Sequence, residues 1–413
     1  MSNSRKFVFK LFALALMGIG LLPLNARRVQ AQEGIAVEDA GVSVKFGETI
    51  TFHAKIKSAL PIQQASLLFR GVTDDVTRVE AVQAAADGAV SFTYDASLNV
   101  IPPFSEVVFW FQATLADNQT YTSAPVTFFY NDNRFPWREM KRANVTAHWY
   151  AGDDAFGAAA LDVAGAGMLA INEFVPISFT EPVDMYIYSN ASDLQTTLML
   201  GGQEWVGGHA NPKIGVALVA IASGAGQSIE METKIPHELA HVMLYRALGE
   251  QYAKQPTWLV EGIASIVELY PNPDYARALG IASQSDSLLA FNNLCAAFPA
   301  DAGNAYLAYA QSQSFVTYIR ETYGTSGLTR LTNSYGDGLN CELGATNALG
   351  VPLSQLDSRW REDVLGQNVV GAAIRNLSPF ILIMLLVLIV PLWGAIDVLR
   401  QRRKRSANQS KMK

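Results

Sequence analysis

His237-Glu238-Leu239-Ala240-His241 is the stretch of this chain whose residue types and spacing could do chemistry. Residues four apart share one face of a helix, so both imidazoles can reach one metal ion with Glu238 beside them as a general base. That is the ligand-and-base set of zinc-assisted hydrolysis. Leu239, Ala240, Val242, Met243 and Leu244 make the flanks apolar, as a buried helix requires, and Pro236 just ahead of the motif suits the first turn of a helix. The chain has only 5 histidines. Two of them at this spacing argue against a pair of solvated side chains on an amphipathic helix. Zinc needs a third protein ligand and an open fourth position. Six residues beyond His241 stands Ala247 rather than a third His, so a carboxylate is expected downstream. Glu261, 20 residues after His241 in Trp258-Leu-Val-Glu261-Gly262-Ile-Ala264, leaves room for a loop and the start of a second helix. Glu268 shares that helical face and competes for the role. Glu250 is nearer but falls in a turn with Gly249.

The elements that must position these residues are predicted as follows. Glu232–Leu248 and Pro256–Leu269 read as helices. Upstream of them, Val145–Tyr150, Val183–Tyr188 and Gly215–Ala222 read as strands, with helices at Ala155–Phe174 and Ser192–Leu200. Residues 285–370 are mostly helical, including Ala305–Tyr323 and Leu353–Leu365. Strands come first and helices later, so the class is α+β. Further upstream, residues 36–130 are all-β. Ile50, Phe52, Ala54 and Ile56 alternate with polar residues, the period of a half-buried strand. Six or seven short strands in under 100 residues predict an immunoglobulin-like β-sandwich. Asn131–Trp137 reads as the linker between the two units.

HELAH followed by WLVEGIA resembles the gluzincin zinc peptidases, a group that includes thermolysin-like enzymes and zinc aminopeptidases. The likeness covers about 145–365. It implies a peptidase-MA-like zinc metallopeptidase domain over 145–370 with a helical C-terminal lobe. His237, His241 and Glu261 would be the metal ligands and Glu238 the general base. Gly215–Ala222 would be the edge strand along which a protein or peptide substrate lies by β-addition. Tyr309 resembles the helix-start tyrosine that stabilises the oxyanion in aminopeptidases, and Tyr306, one turn away, competes with it. Zinc in such a site lowers the pKa of a bound water toward about 7. Glu238 accepts the proton and later passes it to the leaving amine. Two departures stand out. Ser265 occupies the position where thermolysin-like enzymes carry an Asp that orients a ligand His, so that support must be weaker or come from elsewhere. The glutamate motif by which aminopeptidases hold a substrate amine is not evident in 215–222, which favours an endopeptidase. The alternative is a catalytically silent cell-surface binding or adhesion protein on the same scaffold. Such a protein has no need of Glu238. Among the remaining histidines, His209 reads as packing or loop capping, with lining the cleft as the alternative. His53 and His148 read as structural.

The two ends carry addresses. Lys6 and Lys10 precede an apolar run, Leu11–Leu24, and Val29-Gln30-Ala31 offers a cleavage site, so 1–31 reads as a signal peptide. Residues 377–396 hold 20 residues and no charge, about 30 Å of helix and enough to span a bilayer. The tail at 397–413 is basic and satisfies the positive-inside rule. A single-pass protein with its catalytic domain extracellular or periplasmic follows. The motif lies far before the apolar run, which excludes an intramembrane protease. Between 32 and 397 lie 19 basic residues and all 37 acidic ones, a net charge of −18. That excludes a nucleic-acid partner, because phosphate binding needs clustered Lys and Arg. Cys295 and Cys341 are the 2 cysteines. Both fall in the exported part, where disulfides persist, so they are expected to pair.

Overall fold

The computed structural model describes residues 35–174, 180–199, 207–367 and 369–410. The predicted signal peptide lies outside the described residues. The N-terminal part is built from β1 (Ile35–Lys45), β2 (Thr49–Ser58), β3 (Ile62–Gly71), β4 (Arg78–Val82), β5 (Ala89–Asp95), β6 (Ser105–Leu115), β7 (Thr120–Thr122) and β8 (Val126–Tyr130). One antiparallel sheet has the order β1-β2-β5, the other β4-β3-β6-β7 with β8 also on β6. The alternation read from the sequence is the packing pattern. Ile50, Phe52 and Ala54 of β2 face Leu67 and Phe69 of β3 and Phe109 and Phe111 of β6 in one core. Two sheets sharing one core make a β-sandwich.

A second, mixed sheet follows, made of β9 (Arg138–Arg142), β10 (Val145–Trp149), β11 (Val183–Tyr188), β12 (Gly208–Asn211) and β13 (Val216–Ala220). Its order is β12-β13-β11-β10-β9. The three middle strands run parallel. They are joined by α1 (Asp154–Asn172) and a connection containing α2 (Ala191–Leu198). One face of the sheet, with Met185, Ile187, Ala217 and Val219, joins the main core under α1 and the helices that follow. The other, with Tyr186, Tyr188, Val216, Leu218 and Ala220, packs against Phe104 of the sandwich and against Phe135 and Trp137. Both faces are therefore covered.

This arrangement corrects two expectations. Gly215–Ala222 is not an edge strand. Its continuous apolar run is the mark of a strand buried on both faces, and β13 is buried at every position. The edge is β12, four residues too polar and too short to show a period. Nor is 131–137 a free linker. Asp132 is fully buried. It accepts hydrogen bonds from Arg134 Nη2 at 2.6 Å, Tyr188 Oη at 3.0 Å and Thr197 Oγ1 at 3.1 Å. Phe135 stacks on Tyr150 at 4.1 Å. The partners lie on β11, α2 and the end of β10, out of reach of a local reading.

The helical part comprises α3 (Gln227–Leu248), α4 (Thr257–Ile266), α5 (Asp274–Gln284), α6 (Ala302–Gly336), α7 (Cys341–Leu349), α8 (Leu353–Asp363) and α9 (Val369–Ser410). Cys295 and Cys341 form the expected disulfide. The helix α1 presses closely on its neighbours through glycine. A Cβ on Gly157 would come within 2.3 Å of Trp149, and one on Gly167 within 2.9 Å of Pro236. Pro236 is not in the first turn of its helix, as expected, but well inside it, because α3 begins at Gln227. In α9, residues Leu377–Arg400 are long and apolar enough to cross a membrane, and the described side chains of that stretch are exposed. α1 passes the same test of length and composition, but it is a core helix with Ala160, Leu161, Ala164 and Ile171 buried.

Candidate metal centre

His237 and His241 project from one face of α3, as their spacing requires, and meet Glu261 on α4. One ligand atom from each lies within 4.8 Å of the others. Glu261 Oε2 is 3.3 Å from His237 Nε2 and 3.5 Å from His241 Nε2. The opposite ring nitrogens are engaged elsewhere. His237 Nδ1 lies 3.0 Å from Glu268 Oε1, and His241 Nδ1 lies 3.0 Å from the Tyr252 hydroxyl. Partners on both Nδ1 atoms orient the rings so that both Nε2 atoms point at one place. Two imidazole nitrogens, one carboxylate and a supporting outer shell suit zinc.

Glu261 owes its depth to Gly262. A Cβ on Gly262 would sit 2.4 Å from Val316 Cγ2 and 2.7 Å from the Ser312 carbonyl oxygen, both on α6. Trp258, one turn earlier, is fully buried and packs edge-on to Phe291 and Phe315. Glycine and tryptophan together seat α4 against α6 and leave Glu261 facing α3.

Glu238 is buried on α3 beside the cluster. Burial raises its pKa, against the opposing pull of His237 and His241. Its carboxylate presses on β12, where a Cβ on Gly208 would come within 2.2 Å of Oε1. The electrostatics of the trio follow from its contacts. Burial opposes the charge on Glu261, but His241 and His237 outweigh it and hold that carboxyl far below the usual range. Burial likewise opposes protonation of His237, and Glu261 and Glu268 outweigh it and raise its pKa.

A cavity of about 310 Å³ opens on this centre, lined by Gly207, Gly208, His237, Glu238, Glu268, Asn272, Tyr275, Tyr306 and Tyr309 among others. Tyr309 approaches the cluster, its ring 6.0 Å from that of His237. Burial, with the charges of Glu261 and Glu238, keeps its pKa far above the ordinary phenol value. Its competitor Tyr306 is turned to Asn272, donating to Oδ1 at 3.2 Å. His209 lies on the edge strand itself, opposite Leu218. Surrounding protein atoms, then His241, lower its pKa. His148 bonds Asp184 at 2.9 Å and stacks on Tyr186 at 4.3 Å, a structural role.

The residues between 163 and 366 match the sequence family described as Peptidase MA superfamily. His237, Glu238, His241 and Glu261 all fall inside the matched stretch. No curated protein matches the chain. Among solved structures, an M1 zinc metallopeptidase from Deinococcus radiodurans is 12% identical, with a TM-score of 0.36, over 80% of this chain and 94% of that one. A carbohydrate-binding module of family 56, a β-1,3-glucan-binding domain, is 15% identical, with a TM-score of 0.17, over 22% of this chain and 98% of its own. A structure titled as a myokine is 12% identical, with a TM-score of 0.20, over 23% and 96%.

Glu268, weighed as a ligand from a helical face, lies beyond the end of α4 and meets His237 at Nδ1 rather than at Nε2. Tyr252 was invisible to the sequence reading, since it sits in a 3₁₀ segment, Gly249–Lys254, with no motif around it. Asn272, before α5, and Tyr275, on it, line the cavity and likewise belong to no motif.

Proposed function

We propose that this chain is a zinc metallopeptidase of the gluzincin type, an endopeptidase held at a membrane by its C-terminal helix. The observation that carries the reading is the convergence of His237 Nε2, His241 Nε2 and the Glu261 carboxylate beside a buried Glu238. In this reading His237, His241 and Glu261 hold the metal. Zinc bound there supplies a Lewis acid and lowers the pKa of water. The Nδ1–H groups donate to Glu268 and to the Tyr252 oxygen, which leaves both Nε2 lone pairs free for a ligand role. Glu238 accepts the proton of the attacking water and delivers it to the leaving amine. Tyr309 keeps its proton at any working pH and donates to the developing oxyanion. The peptide lies as an added strand along β12, Gly208–Asn211, whose outer edge is unpaired among the described residues. Gly208 lets that strand lie flush on Glu238.

In the same reading 1–31 is a cleaved signal peptide, 377–396 spans the membrane and 397–413 is cytoplasmic. The sandwich at 36–130 is an immunoglobulin-like module docked on the catalytic domain at 145–370. The test is zinc content and casein hydrolysis by the full chain in detergent, beside Glu238→Gln. One zinc per chain, with hydrolysis abolished in the variant and the metal retained, is the expected result. A wild-type protein that binds no zinc would overturn the ligand assignment and leave the silent-scaffold reading in front.

A further inference from the structure

Pro236 stands directly before His237 and inside α3. A proline within a helix has no N–H for the carbonyl four residues back. That carbonyl belongs to Glu232, and it is not left bare. It accepts the N–H of Leu269 at 2.9 Å and that of Tyr270 at 3.4 Å. Leu269 is the residue after Glu268, whose Oε1 lies 3.0 Å from His237 Nδ1. Thr233 Oγ1, which donates to the Ile229 carbonyl at 2.9 Å, also lies 3.3 Å from the Tyr270 carbonyl. The chain leaving α4 is thus stitched to α3 on the C-terminal side of the carboxylate that orients His237. A backbone carbonyl has two lone pairs, and Leu269 and Tyr270 occupy both. Any residue other than proline at 236 would return an amide hydrogen to the same oxygen and displace one of them.

We propose that Pro236 is a positioning residue for the metal centre. By withholding an amide hydrogen it opens the Glu232 carbonyl to Leu269, and this docks Glu268 against His237. The inference rests on the zinc-centre reading and deepens it. It differs from a plain packing role against Gly167, because it predicts coupling to Glu268.

The experiment compares wild type, Pro236→Ala, Glu268→Ala and the double variant as full chains. It reads amide hydrogen exchange at Leu269 and Tyr270, zinc dissociation constants by chelator competition, and circular dichroism as a folding control. Pro236→Ala is expected to speed exchange at both amides and weaken zinc by about 10–100-fold. In the Glu268→Ala background it should cause no further loss, since the side chain through which it acts on His237 is gone. Wild-type zinc affinity in folded Pro236→Ala, or losses that add in the double variant, would overturn the proposal. So would rapid exchange of Leu269 in the wild type, a readout that holds even if the variant does not fold. Absence of zinc from the wild type is a different failure, since it removes the metal-centre reading itself.

Discussion

Replacing Gly262 by alanine asks whether the α4–α6 contact sets the depth of Glu261. The new Cβ would lie 2.4 Å from Val316 Cγ2 and 2.7 Å from the Ser312 carbonyl oxygen. The valine can rotate away, but the carbonyl is main chain in the middle of α6, so α4 must move. Restoring an ordinary carbon–oxygen contact of about 3.3 Å needs a shift of about 0.6 Å. Glu261 is the adjacent residue and is carried with it. Metal–ligand distances tolerate about 0.2 Å, so the shift is roughly three times what the centre can absorb. The overpacking itself costs about 1–3 kcal/mol. Zinc affinity by chelator competition should fall by about 10-fold or more, in line with the cost of disturbing a ligand's support. Urea unfolding should register the destabilisation. Gly280→Ala on α5 is the control, because a Cβ there meets nothing within 4 Å; it should be neutral or stabilise by up to about 1 kcal/mol. A folded Gly262→Ala protein with wild-type zinc affinity would refute the argument.

Asp132→Ala should destabilise the chain by about 2–4 kcal/mol in urea unfolding, because it strips Arg134, Tyr188 and Thr197 of their shared buried acceptor; a change under about 0.5 kcal/mol, the size of an ordinary surface effect, would contradict the packed junction. Replacing Cys295 and Cys341 by serine opens a closure spanning 46 residues. Loop entropy then predicts a loss of about 4 kcal/mol, to be compared with the oxidised wild type in the same titration. Glu342 gives a pH signature away from the metal. Burial works to raise its pKa, but bonds from Asn292 and Ser354 outweigh it and hold the folded-state value below the ordinary one. It therefore contributes stability above the ordinary carboxylate range that is lost as pH falls through the depressed value. Glu342→Gln should flatten that part of the acid-unfolding curve, and an unchanged curve would rule the contribution out.

How much of this was readable beforehand follows from the range of the interactions. His237 and His241 share a face because four residues make about one helical turn, a property of the helix alone. The motif at 258–264 and the alternation of β2 are local in the same sense, and each sits on the element the sequence predicts. The apolar stretch at 377–396 needs no partner to be recognised as long enough to span a bilayer. Other features depend on residues distant in sequence. GVALVAIA reads as a strand, but only the sheet order makes it an inner strand and gives the edge to Gly208–Asn211. From sequence Glu261 and its runner-up Glu268 fall on one face of a helix predicted to run to Leu269, but α4 ends at Ile266 and Glu268 lies beyond it. The structure separates them, placing Glu261 between two Nε2 atoms and Glu268 behind one ring on Nδ1. Tyr252 reaches His241 and Leu269 reaches the Glu232 carbonyl through contacts that carry no periodicity. The sequence by itself determined the donor types, their helical phase and the apolar terminal segment, because backbone geometry and composition settle those within a few turns. Which carboxylate faces the metal site, which strand borders the cleft and what holds His237 in place were decided only by tertiary packing, where two helices and a sheet edge must meet within a few ångströms.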